Sequence, residues 1–185
     1  MSLPAAARLI RPDAACMASF VEAMREGYSR DNLRAETPQT IAQIAAEPEA
    51  FVRQLLNPPT TIVLPDGSLG ERVPETHFWA VEGDAFLGSI SVRHRLNAVL
   101  EQWGGHIGYA VRPSARRRGL ATGMLAETLG WCRENLPLER VMLTVAEDNP
   151  ASQRVIEKNG GLHADTIPHP WVEGARGRRY WIDLR

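Results

Sequence analysis

Apolar residues recur along the chain in two rhythms. Met17, Phe20, Val21, Met24 and Tyr28 follow one another at helical spacing behind Asp13, a residue suited to capping a helix start. A second helical set runs Ile41, Ile44, Ala45, then Phe51, Val52, Leu55 and Leu56, and Pro48 breaks or kinks it because proline lacks a donor and clashes with the preceding turn. Leu120, Met124, Leu125, Thr128, Leu129, Cys132 and Leu136 form a third stripe, ended by Asn135 and Pro137. Asn149-Pro150 opens a further helix with a capping residue and a first-turn proline, and Gly160-Gly161 closes it. Short apolar runs bounded by turn residues predict strands over 7–12, 78–81, 86–92, 106–111, 141–146, 162–167 and 179–184. Glu82-Gly83-Asp84 is a tight turn between the second and third of these. Asn57-Pro58-Pro59, Pro65-Asp66-Gly67 and Pro74 mark a long loop region with one strand fragment over 61–64.

The order is β-α-α-β-β-β-α-β-α-β-β. This is an α/β chain with an α+β mixed sheet of about seven strands flanked by about four helices. No internal repeat or sharp shift of composition divides it, so residues 1–185 read as one domain.

Composition narrows the classes. With 44% hydrophobic and 23% charged residues, the chain is an ordinary globule rather than a disordered, collagenous or coiled-coil one. The formal net charge of −1 argues against a nucleic-acid binder. That sum hides a split, because residues 1–92 carry a net −5 and residues 93–185 a net +4. Two cysteines make no disulfide framework. No apolar run approaches the ~18 residues of a membrane span, and Met1-Ser2-Leu3-Pro4 opens no signal peptide, so a cytoplasmic protein is expected, with no membrane partner.

The most informative stretch is 104–122, where an apolar strand ends at Val111, an Arg-rich turn follows and a helix begins near Gly119. A helix start exposes unpaired N–H groups at the positive end of its dipole, and Gly119 and Ala121 let ligand oxygens approach the backbone. Arg116, Arg117 and Arg118 add charge, and the next acid along the chain is Glu127. A pyrophosphate is the natural guest. The bland alternative is a solvated basic turn, and the Arg-x-x-Gly-x-Ala spacing at a strand-to-helix junction weighs against it. No Gly-Lys-Ser/Thr makes a nucleotide P-loop, and a Rossmann turn needs more glycines.

Arg116-Arg117-Arg118-Gly119-Leu120-Ala121 resembles the Gln/Arg-x-x-Gly-x-Gly/Ala motif of the GNAT superfamily of N-acetyltransferases. The neighbouring segments 107–113, 143–152 and 155–161 are similar to that family's flanking strands and helix, and residues 93–97 with 105–109 resemble one bacterial branch of it. The resemblance implies acetyl-CoA as co-substrate and a primary amine of a small molecule, amino acid or peptide as acceptor. It implies a pantetheine arm paired with the backbone of Tyr109, Ala110 and Val111, where two parallel strands splay apart. It places the pyrophosphate on the N–H groups of Arg116, Arg117, Arg118, Gly119, Leu120, Ala121 and Thr122. Asn149 and Ser152 would approach the pantetheine arm, Asn149 being a helix cap in any case.

Transfer in that family is direct, with a backbone N–H near Tyr109 steadying the oxyanion. The position of the family's base is His106, whose unperturbed pKa of ~6.5 suits the task. The plain alternative is a packed histidine, and Glu147 or Asp148 are substitutes as base. Ile156 occupies the place of the usual tyrosine acid, which leaves Tyr109 or an unassisted thiolate. That departure supports a second reading, a non-catalytic acyl-CoA sensor of the same fold. Many relatives dimerise, so the resemblance also allows a homodimer.

Other constellations are weaker. His163, Asp165 and His169 lack a third ligand cluster for a metal, so none is expected. No Gly-x-Ser-x-Gly elbow is present. Cys132 falls on a core stripe. Trp103, Trp171 and Trp181 read as packing residues, with Trp171 also a candidate for the acceptor pocket. Glu22, Glu26, Asp31 and Glu36 hint at a cationic acceptor, and the cluster from Arg112 to Arg118 reads as the positive half's answer to phosphates.

Overall fold

A computed structural model describes residues 2–30, 36–63 and 67–185. Nine strands and six helices are formed among them. β1 (Arg8–Ile10) leads through a one-turn 3₁₀ segment into α1 (Met17–Arg25), with Asp13 accepting from the Ala15 N–H as the sequence suggested. The second helical stretch is two helices, α2 (Pro38–Ala46) and α3 (Pro48–Leu56), because each proline sits in a first turn, where its missing N–H is harmless.

The loop region holds a hairpin, β2 (Thr61–Val63) and β3 (Leu69–Glu71), rather than one fragment, and Leu64 lies outside the described residues. β4 (Glu75–Glu82) and β5 (Ala85–Arg93) follow across the expected turn at Gly83-Asp84. A short helix absent from the sequence reading, α4 (Ala98–Gln102), is capped by Asn97, whose Oδ1 accepts the Leu100 N–H. Then come β6 (Ile107–Val111), α5 (Leu120–Asn135), β7 (Arg140–Ala146), α6 (Pro150–Lys158), β8 (Leu162–Pro168) and β9 (Arg176–Asp183).

The strands do not form one continuous ladder. β1, β4, β5 and β6 pair in that order, β7, β9 and β8 pair in theirs, and every recorded ladder is antiparallel. β6 and β7 are therefore the facing edges of two hydrogen-bonded units. One face of the sheet buries Ile90, Val92, Ile107, Val141 and Leu143 against the α5 stripe of Leu120, Met124, Leu125, Leu129 and Cys132. The other face packs Trp79, Val81 and Phe86 under α1, α2 and α3, with Phe20 stacked on Trp79 at 4.8 Å. Side chains alternate between the two faces along each strand, which decides what each residue of β6 can reach. Among the described residues no helix is long and apolar enough to cross a membrane.

Candidate active site

The gap between β6 and β7 is closed at one end. The His106 N–H donates to the Met142 carbonyl at 2.7 Å, and the Met142 N–H donates back to His106 Nδ1 at 2.9 Å. A single bridge joins Gly105 to Leu143. Gly105 permits this close approach: its φ is +70°, and a Cβ there would lie 2.4 Å from the Met142 oxygen. Arg93 Nη1 holds the Gly105 carbonyl from the other side at 3.0 Å.

This engagement corrects the reading of His106 as base. Burial, with the Arg93 charge adding to it, pushes its pKa down to about 4, so the ring is neutral at physiological pH. Nδ1 accepts the Met142 N–H, so the neutral ring's proton is on Nε2. No lone pair is left to take a proton from an amine. The plain alternative, a hydrogen-bonded structural histidine, is what the geometry supports.

Beyond His106 the pairing with β5 fixes which way β6 faces the gap. The Arg93 N–H donates to the His106 carbonyl and the Arg112 N–H to the Leu87 carbonyl. In this register the backbone groups of Gly108 and Ala110 face β5, while those of Ile107, Tyr109 and Val111 turn toward the gap. Ala110 is therefore misplaced in the expected backbone trio; Tyr109 and Val111 are the residues whose N–H and C=O point the right way.

At the open end the chain leaves Val111 and builds a cradle. Arg117 has φ +63°, rare for a residue with a side chain, and Gly119 caps α5 at φ +80°. Left-handed residues at alternate positions turn successive N–H groups toward one point, an arrangement that binds anions. No side chain caps α5, so the N–H groups of Leu120, Ala121 and Thr122 have no side-chain acceptor at the positive end of its dipole.

The basic residues there are not alike. Arg118 pairs with Glu82 at 3.0 Å, a turn residue distant in sequence, and Arg116 Nε donates to the Val111 carbonyl at 3.3 Å. Arg117 has no hydrogen-bond or ion-pair partner among the described residues and is exposed. Arg112 does not face the cradle at all. Its Nε meets both Glu26 oxygens at 3.0 Å, Nη1 donates to Ser19 Oγ at 2.8 Å, and Glu22 lies 3.5 Å away. Ser114 Oγ also donates to Glu26, and these bonds hold the Glu26 carboxyl down to about 2. Glu26 is thus engaged by Arg112 and Glu36 by Arg30 at 2.6 Å, while Glu22, 3.5 Å from Arg112, stays largely exposed. Asp31 lies outside the described residues.

The helix α6 faces the same gap. Asn149 Oδ1 accepts the Ser152 N–H at 3.0 Å, so Asn149 caps α6. Ser152 Oγ and the Tyr109 hydroxyl are 2.6 Å apart, and the Tyr109 O–H also reaches the Ser152 carbonyl at 3.2 Å. Burial pushes the Tyr109 phenol up to about 12 against the opposing effect of the serine, so it keeps its proton at neutral pH. Ile156 is buried against Gly161, where a Cβ would meet its Cγ2 at 2.3 Å, and it is core.

Glu147, at the end of β7, is ion-paired with Arg176 at 3.2 Å and Arg178 at 3.8 Å, away from a base's task. Asp165 is bidentate with Arg179, and Cys132 is buried with its thiol pushed up to about 11. Trp103 lies against Gly177, with the His169 ring 4.0 Å away, and Trp171 beside them is half exposed. No group of three or more His, Cys, Asp or Glu among the described residues can hold a metal ion.

Comparison with known proteins agrees with this layout. Residues 31–161 match the acetyltransferase (GNAT) domain family. No curated protein matches the sequence significantly. Among solved structures, a spermidine N-acetyltransferase chimera of SpeG from Vibrio cholerae and hSSAT is similar at 12% identity and TM-score 0.65, covering 97% of this chain and 96% of that one. RimJ of Mycobacterium smegmatis, in complex with CoA-disulfide, is similar at 18% identity and TM-score 0.67, covering 96% and 81%. A Salmonella typhimurium structure of yncA with its cofactor acetyl-CoA is similar at 15% identity and TM-score 0.60, covering 97% and 95%. At these identities the likeness is one of fold, and the family match carries the assignment: the chain belongs to the GNAT acetyltransferase family.

Proposed function

We propose that the protein transfers the acetyl group of acetyl-CoA to a primary amine by direct attack. The observation that supports this best is the cradle at Arg116–Thr122, an uncapped helix start with two left-handed residues, opening from a strand whose neighbour has parted from it. The Arg116 N–H already donates to the Pro113 carbonyl, so in this reading the N–H groups from Arg117 to Thr122 hold the pyrophosphate, with the Arg117 side chain adding charge. Tyr109 and Val111 offer the gap-facing backbone for the pantetheine arm, and a gap-facing N–H near Tyr109 steadies the oxyanion. The similar SpeG chimera is a spermidine N-acetyltransferase, and the RimJ and yncA structures hold CoA-disulfide and acetyl-CoA, which supports an amine acceptor and a CoA ligand here.

The Tyr109 hydroxyl retains its proton and stands at the gap, so it is the donor for the departing thiolate in place of the absent tyrosine at Ile156. Its hydrogen bond to Ser152 orients it, which is the part Ser152 plays. Asn149 secures the helix that carries Ser152.

Calorimetric titration with acetyl-CoA, followed by thiol release over a panel of amines, tests the reading. Saturable binding and amine-dependent release of free CoA are expected. Binding without release from any amine would instead favour the acyl-CoA sensor, and absence of binding would sink both.

A further inference from the structure

With His106 engaged and Glu147 paired, Asp148, exposed just beyond β7, is the one acceptor left of those the sequence named, and the sheet holds another in a more enclosed place. On the face toward α1 the registers of β4, β5 and β6 line up three rows: Trp79, Ser89 and Ala110; His77, Ser91 and Gly108; Glu75, Arg93 and His106. The first row is roofed by α1, since Trp79 stacks on Phe20 and Tyr28 Oη meets Ser89 Oγ at 2.6 Å. Gly108 is exposed, and among the described residues nothing lies within 4 Å of a Cβ built on it, so they leave a space over β6 beside the gap.

His77 shares the row of that space and is half buried. Adjacent strands lie about 4.8 Å apart, so some ~10 Å separate the His77 and Gly108 Cα atoms, a span that an imidazole and a bridging water fill. Its Nε2 lies 3.5 Å from Glu75 Oε2. With the ring's proton on Nε2, toward the carboxylate, Nδ1 keeps its lone pair, with no partner among the described residues. His106 has the same tautomer, but its Nδ1 is taken by the Met142 N–H. Glu75 is fixed in its turn. Burial alone would raise its carboxyl, but the His77 contact, the Arg93 charge and the Ser91 hydroxyl outweigh that and hold it down to about 2.

We propose that His77 is the base that deprotonates the acceptor, with Glu75 as the residue that positions it. This rests on the acetyltransferase reading. The acceptor's ammonium enters over Gly108 and gives one proton, through the bridging water, to His77 Nδ1, leaving the electron pair on nitrogen. That pair forms the bond to the thioester carbonyl carbon. As the C–S bond breaks its electrons leave on sulfur, the new amide nitrogen's extra proton ends on the thiol, and His77 passes its own proton to water. The groups facing His77 are Glu75 on its own strand and Ser91 and Arg93 on β5, with His106 one row away.

The test is made on the whole protein with acetyl-CoA and the best amine of the panel. His77→Gln should lower kcat about 10²-fold or more while acetyl-CoA affinity stays within twofold, the range expected for loss of a general base. For His77→Ala, added imidazole should restore the rate in proportion to its concentration. Glu75→Gln should lower kcat by less and leave KM nearly unchanged, and Glu75→Asp, which keeps a carboxylate beside the ring, should recover part of the rate. A merely structural His77 predicts no imidazole response. If the wild type turns over and His77→Gln keeps its rate, or imidazole leaves a folded His77→Ala unrestored, the base falls and the acetyltransferase reading stands. Silence of the wild type toward every amine sinks that reading, and the base with it.

Discussion

β6 is five residues long, and its two ends are built on different principles. At the His106 end the neighbouring strand is fastened by two hydrogen bonds through one residue, with a glycine allowing the approach. At the Val111 end nothing on β7 pairs with it, and the turn beyond collects donors that the protein does not satisfy with side chains. The first end is polar, buried and satisfied, which is how a structural fastening looks. The second holds an exposed arginine, without a partner among the described residues, in a strained backbone, which is how a site prepared for a ligand looks. The fastening joins the two strands; the cradle leaves donors open beyond them.

Several substitutions break or sharpen this contrast, in decreasing order of expected effect. Gly105→Ala puts a Cβ within 2.4 Å of the Met142 oxygen at φ +70° and should destabilise the protein by about 3 kcal/mol or more, a fall in Tm of roughly 10 °C by calorimetry. An unchanged Tm would mean that the closed end is not tightly fastened.

His106→Gln should change the pH dependence of stability. The folded ring titrates at about 4 against ~6.5 unfolded, so its contribution is complete above pH 6.5 and lost as pH falls toward 4. The shift corresponds to at most about 3 kcal/mol across that window. Chemical denaturation at pH 7 and pH 4.5 should show a smaller difference for the variant than for the wild type. Equal differences would return His106 to the list of solvated groups.

Arg117→Gly acts on the open end and in two directions. Glycine relieves the left-handed strain, so stability should rise by about 1 kcal/mol, while loss of the unshared charge should weaken acetyl-CoA binding about 10-fold. Calorimetry reads both. Arg112→Gly, whose partners are Glu26 and Ser19, should instead lose stability, and a loss of CoA affinity larger than that of Arg117→Gly would reverse the two arginines' roles. Smallest of all, Tyr109→Phe should lower kcat by about 10-fold and leave KM nearly unchanged. An unaltered kcat would mean the thiolate departs without its help.

Much of this was legible in the sequence, because the strand–turn–helix at 107–122 is contiguous and its motif is local. The α5 stripe and the Asn149 cap, also local, appear where the spacing put them. What could not be read depended on partners distant along the chain. The His106 bond to Met142 joins a side chain to a backbone group 36 positions away, which no local pattern reveals. The partner of Arg118, Glu82, precedes it by 36 residues. Arg112 belonged to a basic run in one dimension and to α1 in three. Ala110 was grouped with its neighbours because only the register with β5 shows which backbone groups face the gap. α4, at five residues, is too short to show a helical period, and its one local signal was the Asn97 cap.

The Arg112 clasp binds more than charge. By holding Glu26, Ser19 and the Phe86 carbonyl from the residue just after β6, it ties α1 to the start of the turn that ends in the cradle. A ligand resting on α1 and one resting on Arg116–Thr122 therefore press on a shared unit. If either tightens that unit in the form the other prefers, the favour is returned in equal measure, since coupling between binding sites is reciprocal. Acceptor and cofactor affinities, measured singly and together, would then differ by one common factor, and Glu26→Gln, which loosens the clasp, would bring that factor toward unity.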